Sequence, residues 1–111
     1  MINPDGLSDI ENMADLVEIN DGATVSRTIL KGEGVNVVLF SFDEGEELSE
    51  HTAAMPVLVQ VLEGELLITA DGRDVVLRPG GLVHFTTRLP HAVKALKPSK
   101  MVLYMMAMPA K

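Results

Sequence analysis

The sequence predicts an all-β domain: a sandwich or barrel of two antiparallel sheets, preceded by one short helix. Three observations carry this. From Thr24 onward apolar and polar residues alternate with period two, and turn-forming residues interrupt the pattern about every ten residues. Asp71-Gly72 stands between two such runs and is the strongest hairpin signal in the chain, because both central positions of a tight turn need positive φ. Ser8-Asp9-Ile10-Glu11 reads as a capping box, with Ser8 as N-cap and Glu11 at N3, ahead of Ile10, Met13, Ala14 and Val17 at helical spacing.

The elements follow in order. The capping box opens a short helix outside the barrel, and Asn20-Asp21-Gly22 turns the chain. Val25 to Leu30 is a candidate strand, and Lys31-Gly32-Glu33-Gly34 a turn. Val35 to Phe42 is rich in Val, Leu and Phe, the side chains that suit a pleated surface. Asp43 to Glu46 turns into Leu48 to Thr52, and Val57 to Leu62 follows. A Glu63-Gly64 turn leads to Glu65 to Ala70, and Arg73 to Arg78 returns from the Asp71-Gly72 hairpin. Pro79-Gly80-Gly81 precedes Leu82 to Thr86; Val93 to Leu96 and Met101 to Met108 complete the sheets. The 111 residues form one domain, 1–23 as the helical segment and 24–108 as the barrel.

Val57 to Leu62 and Met101 to Met106 are apolar on both faces. A single barrel buries only one face of each strand, so the other needs a cover. The N-terminal segment and a second subunit are the two candidates. Because one short helix covers little, a homodimer is expected.

Composition removes several functions. Net charge is −7 and no basic cluster extends beyond Lys97 and Lys100, which argues against nucleic acid and anionic membranes as partners. No apolar run approaches the ~20 residues of a membrane span. The acidic start Met1 to Asp5 contains no apolar secretion core, so a cytoplasmic location is expected. The absence of cysteine excludes disulfides and thiolate chemistry.

The stretch Gly45 to Gly64, GEELSEHTAAMPVLVQVLEG, organises the rest of the chain. Its spacing resembles the first motif of the cupin family: Gly, five residues, His-any-His, three residues, Glu, six residues, Gly. Gly45, His51 and Gly64 occupy their places, while Ala53 stands for the second His and Val57 for the Glu. The second motif, Gly, five residues, Pro-any-Gly, two residues, His, three residues, Asn, fits in two registers. Pro79, Gly81 and His84 match it literally, but that register leaves only seven residues between Gly64 and Gly72. A start at Gly80 ends on His91 and leaves fifteen residues, Glu65 to Pro79, enough for the Asp71-Gly72 hairpin. The second register is preferred; it departs from the motif at Thr86, Arg88 and Ala95. The chain is most similar to small single-domain bacterial cupins, over about Val25 to Met108.

The resemblance implies a cupin-type double-stranded β-helix, a jelly-roll barrel of two antiparallel sheets. It implies that His51 and His91 approach each other inside that barrel. Alternation places Ala53 on the face of His51, and Val57, Val59 and Val61 on the interior as well, so these six residues are the expected ligand pocket. Metal-binding cupins use three His and one Glu, which suits a borderline divalent ion. Here His51 and His91 remain, with His84 as a third ligand only if it faces inward. No cofactor follows firmly from this set, and at most a weakly held Zn, Ni, Mn or Fe is expected. Two other readings of the pair stand beside that one: hydrogen-bonded polar lining, and general base and acid without metal. The run Glu44, Glu46, Glu47 and Glu50 is either a solvated loop or a repeller of anionic ligands. The function expected is binding of a small molecule, with a metal-dependent oxygenase or isomerase of reduced ligand set as the alternative. Whether the chain is an enzyme stays open at this point.

Overall fold

Alternation becomes nine strands in the computed structural model, which describes residues 6–107. They are β1 (Thr24–Lys31), β2 (Val35–Phe42), β3 (Glu47–His51), β4 (Val57–Glu63), β5 (Leu66–Ala70), β6 (Arg73–Leu77), β7 (Leu82–Phe85), β8 (His91–Ala95) and β9 (Ser99–Met106). Met108 and Met1 to Asp5 lie outside the described residues. Among the described residues no helix is long and apolar enough to cross a membrane.

Two antiparallel sheets result, ordered β1-β2-β9-β4-β7 and β3-β8-β5-β6. Most neighbours are distant in sequence, because the chain passes repeatedly from one sheet to the other, as in a jelly roll. Two pairs of sheet neighbours do follow one another, β1–β2 and β5–β6; β5 and β6 are joined at Asp71 and Gly72, with φ of 52° and 68°. These are the two positive values that the tight hairpin requires.

The inner faces supply one core. Val57, Val59 and Val61 of β4 meet Met101 and Leu103 of β9, with Leu66 and Ile68 of β5 and Val93 and Ala95 of β8 opposite. At about 25 cal/mol per Å² of apolar surface removed from water, this burial is the main stabilising term.

A second, smaller cluster lies on the outer face of the five-stranded sheet. Val37 and Leu39 of β2 and Val102 of β9 are buried there under Val17, with Ile10, Met13 and Leu16 packed alongside. Thus the N-terminal segment covers the β1–β2–β9 part of the face that the sequence left open. Three polar contacts fasten it: Lys100 Nζ donates to Ala14 O at 2.8 Å, Arg27 Nη1 to Leu16 O at 2.9 Å, and Ser41 Oγ to Glu18 O at 2.6 Å.

The helix in this segment is a single 3-10 turn, Met13–Leu16, and it starts later than the capping box suggests. Asn12 is the N-cap, its side chain accepting from Ala14 N at 3.2 Å. Nucleating a helix costs several residues' freedom for one hydrogen bond, and here Ile10 and Val17, on either side of the turn, pack against the sheet in non-helical backbone.

The cover does not reach the β4–β7 edge. Leu58 and His84 are register partners there and share the outer face with Gln60 and Leu82. Leu82 is 55% exposed.

Candidate functional site

One row of residues crosses the inner face of the four-stranded sheet. His51 of β3 pairs with His91 of β8, and His91 pairs with Ala70 of β5. Direct cross-strand partners share a face, so both imidazoles point between the sheets. The ring centroids are 4.3 Å apart with planes at 62°. Phe85, from β7 of the other sheet, stacks on His91 at 4.2 Å and 9°. His91 is therefore held between a histidine edge and a phenyl face, and only 3% of it is exposed.

Local irregularities put the rings there. Leu48 pairs with Val93 and His51 with His91, so three steps along β3 match two along β8. In a regular strand Leu48 and His51 would face opposite ways; the register shift turns both inward. Ahead of β8, Arg88 has φ of 63° and donates its N–H to Ala53 O at 2.9 Å. The family motif has Gly at this place, and the left-handed backbone is the reason: an L side chain there costs about 1–2 kcal/mol.

Each imidazole is oriented by its own strand. His51 Nδ1 lies 2.8 Å from Ser49 O, and His91 Nδ1 lies 2.9 Å from Leu89 O. A carbonyl can only accept, so Nδ1 carries the hydrogen on both rings. Burial pushes the His91 pKa below its ordinary 6.5; the bond to Leu89 opposes this and the neighbouring His51 adds to it. His91 is thus neutral at neutral pH, and its Nε2 is a hydrogen-bond acceptor or a metal donor.

The donor set stops at two. Among the described residues no three His, Cys, Asp or Glu side chains gather into a metal-binding group. His84 stands opposite Leu58 on the outer face and is exposed, so it is no third ligand. Ala53 and Val57 hold the places where a second His and a carboxylate would stand. Two imidazoles do not fit a tight divalent centre, which needs three or four convergent ligands.

The expected pocket residues divide. Ala53 packs half-buried against the inner cluster. Val57, Val59 and Val61 face inward, each 1% exposed within the packed core. Phe85 was not singled out in the sequence. Its signal was present, because alternation along β7 sends Val83 and Phe85 inward and His84 outward.

A second feature lies at the gap between the edge strands β6 and β7. A cavity of about 350 Å³ is walled by Ile68, Ala70, Val75, Val83, Phe85 and Leu89, with Asp71, Arg73, Leu82 and His84 around it. Phe85 and Ala70 belong both to this wall and to the surroundings of His91, so the histidine row lies one residue behind the cavity.

Two facing antiparallel sheets with imidazoles on their inner side define a cupin-type barrel. The chain belongs to the cupin domain family, whose model matches residues 38–107. Solved structures agree. A conserved protein of unknown function from Streptococcus pyogenes superposes with a TM-score of 0.82 at 24% identity, over 95% of this chain and 92% of its own. A cupin superfamily protein from Desulfitobacterium hafniense gives 0.82 at 26% identity, over 90% and 94%. A cupin 2 conserved barrel domain protein from Leptotrichia buccalis gives 0.80 at 31%, over 86% of this chain and 47% of its own. Among curated proteins none matches the chain.

Proposed function

We propose that the protein is a cytoplasmic barrel that binds a small molecule between its sheets, with His51 and His91 as the polar anchors. The observation that carries this is the pair of inward imidazoles, each with Nδ1 tied to a carbonyl, which leaves Nε2 to face a guest. A ligand with a hydroxyl or amide donor satisfies them, and the surrounding apolar side chains take its remainder. Native mass spectrometry of untagged protein is expected to find an organic ligand. His91→Ala, which removes the buried anchor, should lower its occupancy about tenfold, the worth of one well-placed hydrogen bond. Undiminished occupancy in that variant would overturn the site.

The same tautomers favour a second reading, since ligating histidines are oriented by just such second bonds. In it, His51 and His91 hold a divalent metal weakly and the barrel is an oxygenase or isomerase of reduced ligand set. Stoichiometric metal in the natural chain would favour this reading over the first.

We further propose a homodimer through the β4–β7 edge. Leu58 and the exposed Leu82 lie on one outer face beyond the reach of the N-terminal segment. Leu58→Lys is expected to give monomer of about 12.0 kDa by light scattering while the natural chain has twice that mass. A natural chain that is already monomeric at micromolar concentration would end the proposal.

A further inference from the structure

Arg73 pairs with Ala70 across β5 and β6, and Ala70 pairs with His91 across β5 and β8. The row His51–His91–Ala70–Arg73 therefore runs across all four strands on one face, the inward one. Arg73 sits two strand spacings from His91, about 10 Å. Between them stands Ala70, whose single methyl group leaves the sheet surface open. That surface is the floor of the cavity beside β7.

Arg73 is the one permanent cation around this cavity among the described residues. The three ion pairs among those residues engage Arg78, Lys97 and Lys100, not Arg73. Asp74, its neighbour, alternates to the outer face, where it accepts from Thr69 Oγ1 at 3.1 Å. Glu47 and Glu50 border a groove with Lys94 on the outer side of the same sheet, so their charge faces away. Asp71, on the hairpin, is the one carboxylate at the rim, and it penalises a doubly charged guest more than a singly charged one.

We propose that this cavity takes a small monocarboxylate with an apolar tail, its carboxylate on Arg73 and its tail against Val75, Val83, Phe85 and Leu89. A guanidinium presents a planar fork that matches a carboxylate, and such charge-assisted pairs are stronger than neutral ones. Away from Arg73 the side chains of Val75, Val83, Phe85 and Leu89 offer only apolar contacts, so the tail is aliphatic. The inference rests on the reading of the barrel interior as a ligand site and names the class of ligand for it.

Butanoate and its neutral isostere butanamide separate the two. Both are titrated into the intact protein and followed by the Ala70 methyl, the Arg73 Nε–H and the His91 ring resonances. Butanoate is expected to bind about tenfold more tightly than butanamide, moving all three signals. Arg73→Gln, a change at an exposed position, should erase that preference, and Arg73→Lys should keep part of it. Equal affinities for the two probes would overturn the carboxylate while leaving the ligand site in place. Binding of neither would overturn this inference, and the native mass measurement on the histidine pair would still judge that site separately. Shifts by butanoate that persist unchanged in Arg73→Gln would also overturn it.

Discussion

The double variant Ala53→His with Val57→Glu is expected to bind a divalent metal at least about a hundredfold more tightly than the natural chain. Two imidazoles already share the inner face, each with Nδ1 tied to a backbone carbonyl. Ala53 is half-buried against the inner core, and Val57 is the register partner of Phe85, whose ring lies on His91. Substituting both adds a nitrogen and a carboxylate that converge on the same space, and four ligands complete a coordination sphere that two leave open. Without metal, the variant should be less stable than the natural chain, because Val57 is 1% exposed and a carboxylate there loses its water. Metal should then restore stability by mass action, so affinity and melting temperature rise together. Titration calorimetry with Zn, Ni and Mn, paired with thermal melts, measures both. A folded double variant that binds metal no better than the natural chain would show that His51 and His91 do not converge with positions 53 and 57.

Gly64→Ala is expected to cost about 2–5 kcal/mol, a large part of the 5–15 kcal/mol that holds a domain of this size together. Gly64 has φ of +84°, a conformation that costs an L side chain about 1–2 kcal/mol. The new Cβ would also run into Ser99 Oγ, the Pro98 carbonyl and Ser99 Cα. Ser99 cannot retreat. It is fully buried, its hydroxyl is 2.6 Å from Lys97 O, and it accepts from Glu65 N at 3.0 Å. Overpacking of this kind adds about 1–3 kcal/mol. Gly72→Ala is the control: φ is +68°, but nothing lies within 4 Å, so about 1 kcal/mol is expected there. In urea melts the difference between the two variants isolates the close approach of the Glu63–Gly64 turn to β9. Equal losses would mean that backbone strain alone matters and that the turn is free to move.

What the sequence determined by itself is local. Period two with turns at short intervals dictates strands, because alternate side chains face opposite ways and only a two-layer all-β arrangement buries one set. Asp71-Gly72 dictates its hairpin through the two positive φ values. The motif spacing was enough to single out His51 and His91 against the literal alternative at His84. What tertiary structure decided is register between strands far apart in the chain. Each such register is set by packing across the sheet, and a one-residue slip reverses every side chain. The shift in β3 that turns both Leu48 and His51 inward is invisible to alternation, since it exists only against β8. The fastening of the N-terminal segment through Lys100 to Ala14, 86 residues apart, outweighed the capping box at Ser8, because that anchor is set by the sheet and not by the segment. The role of Arg73 emerged the same way. In sequence it is one of several charged residues after a turn, and only the pairings of β6 with β5 and of β5 with β8 place it in line with His91.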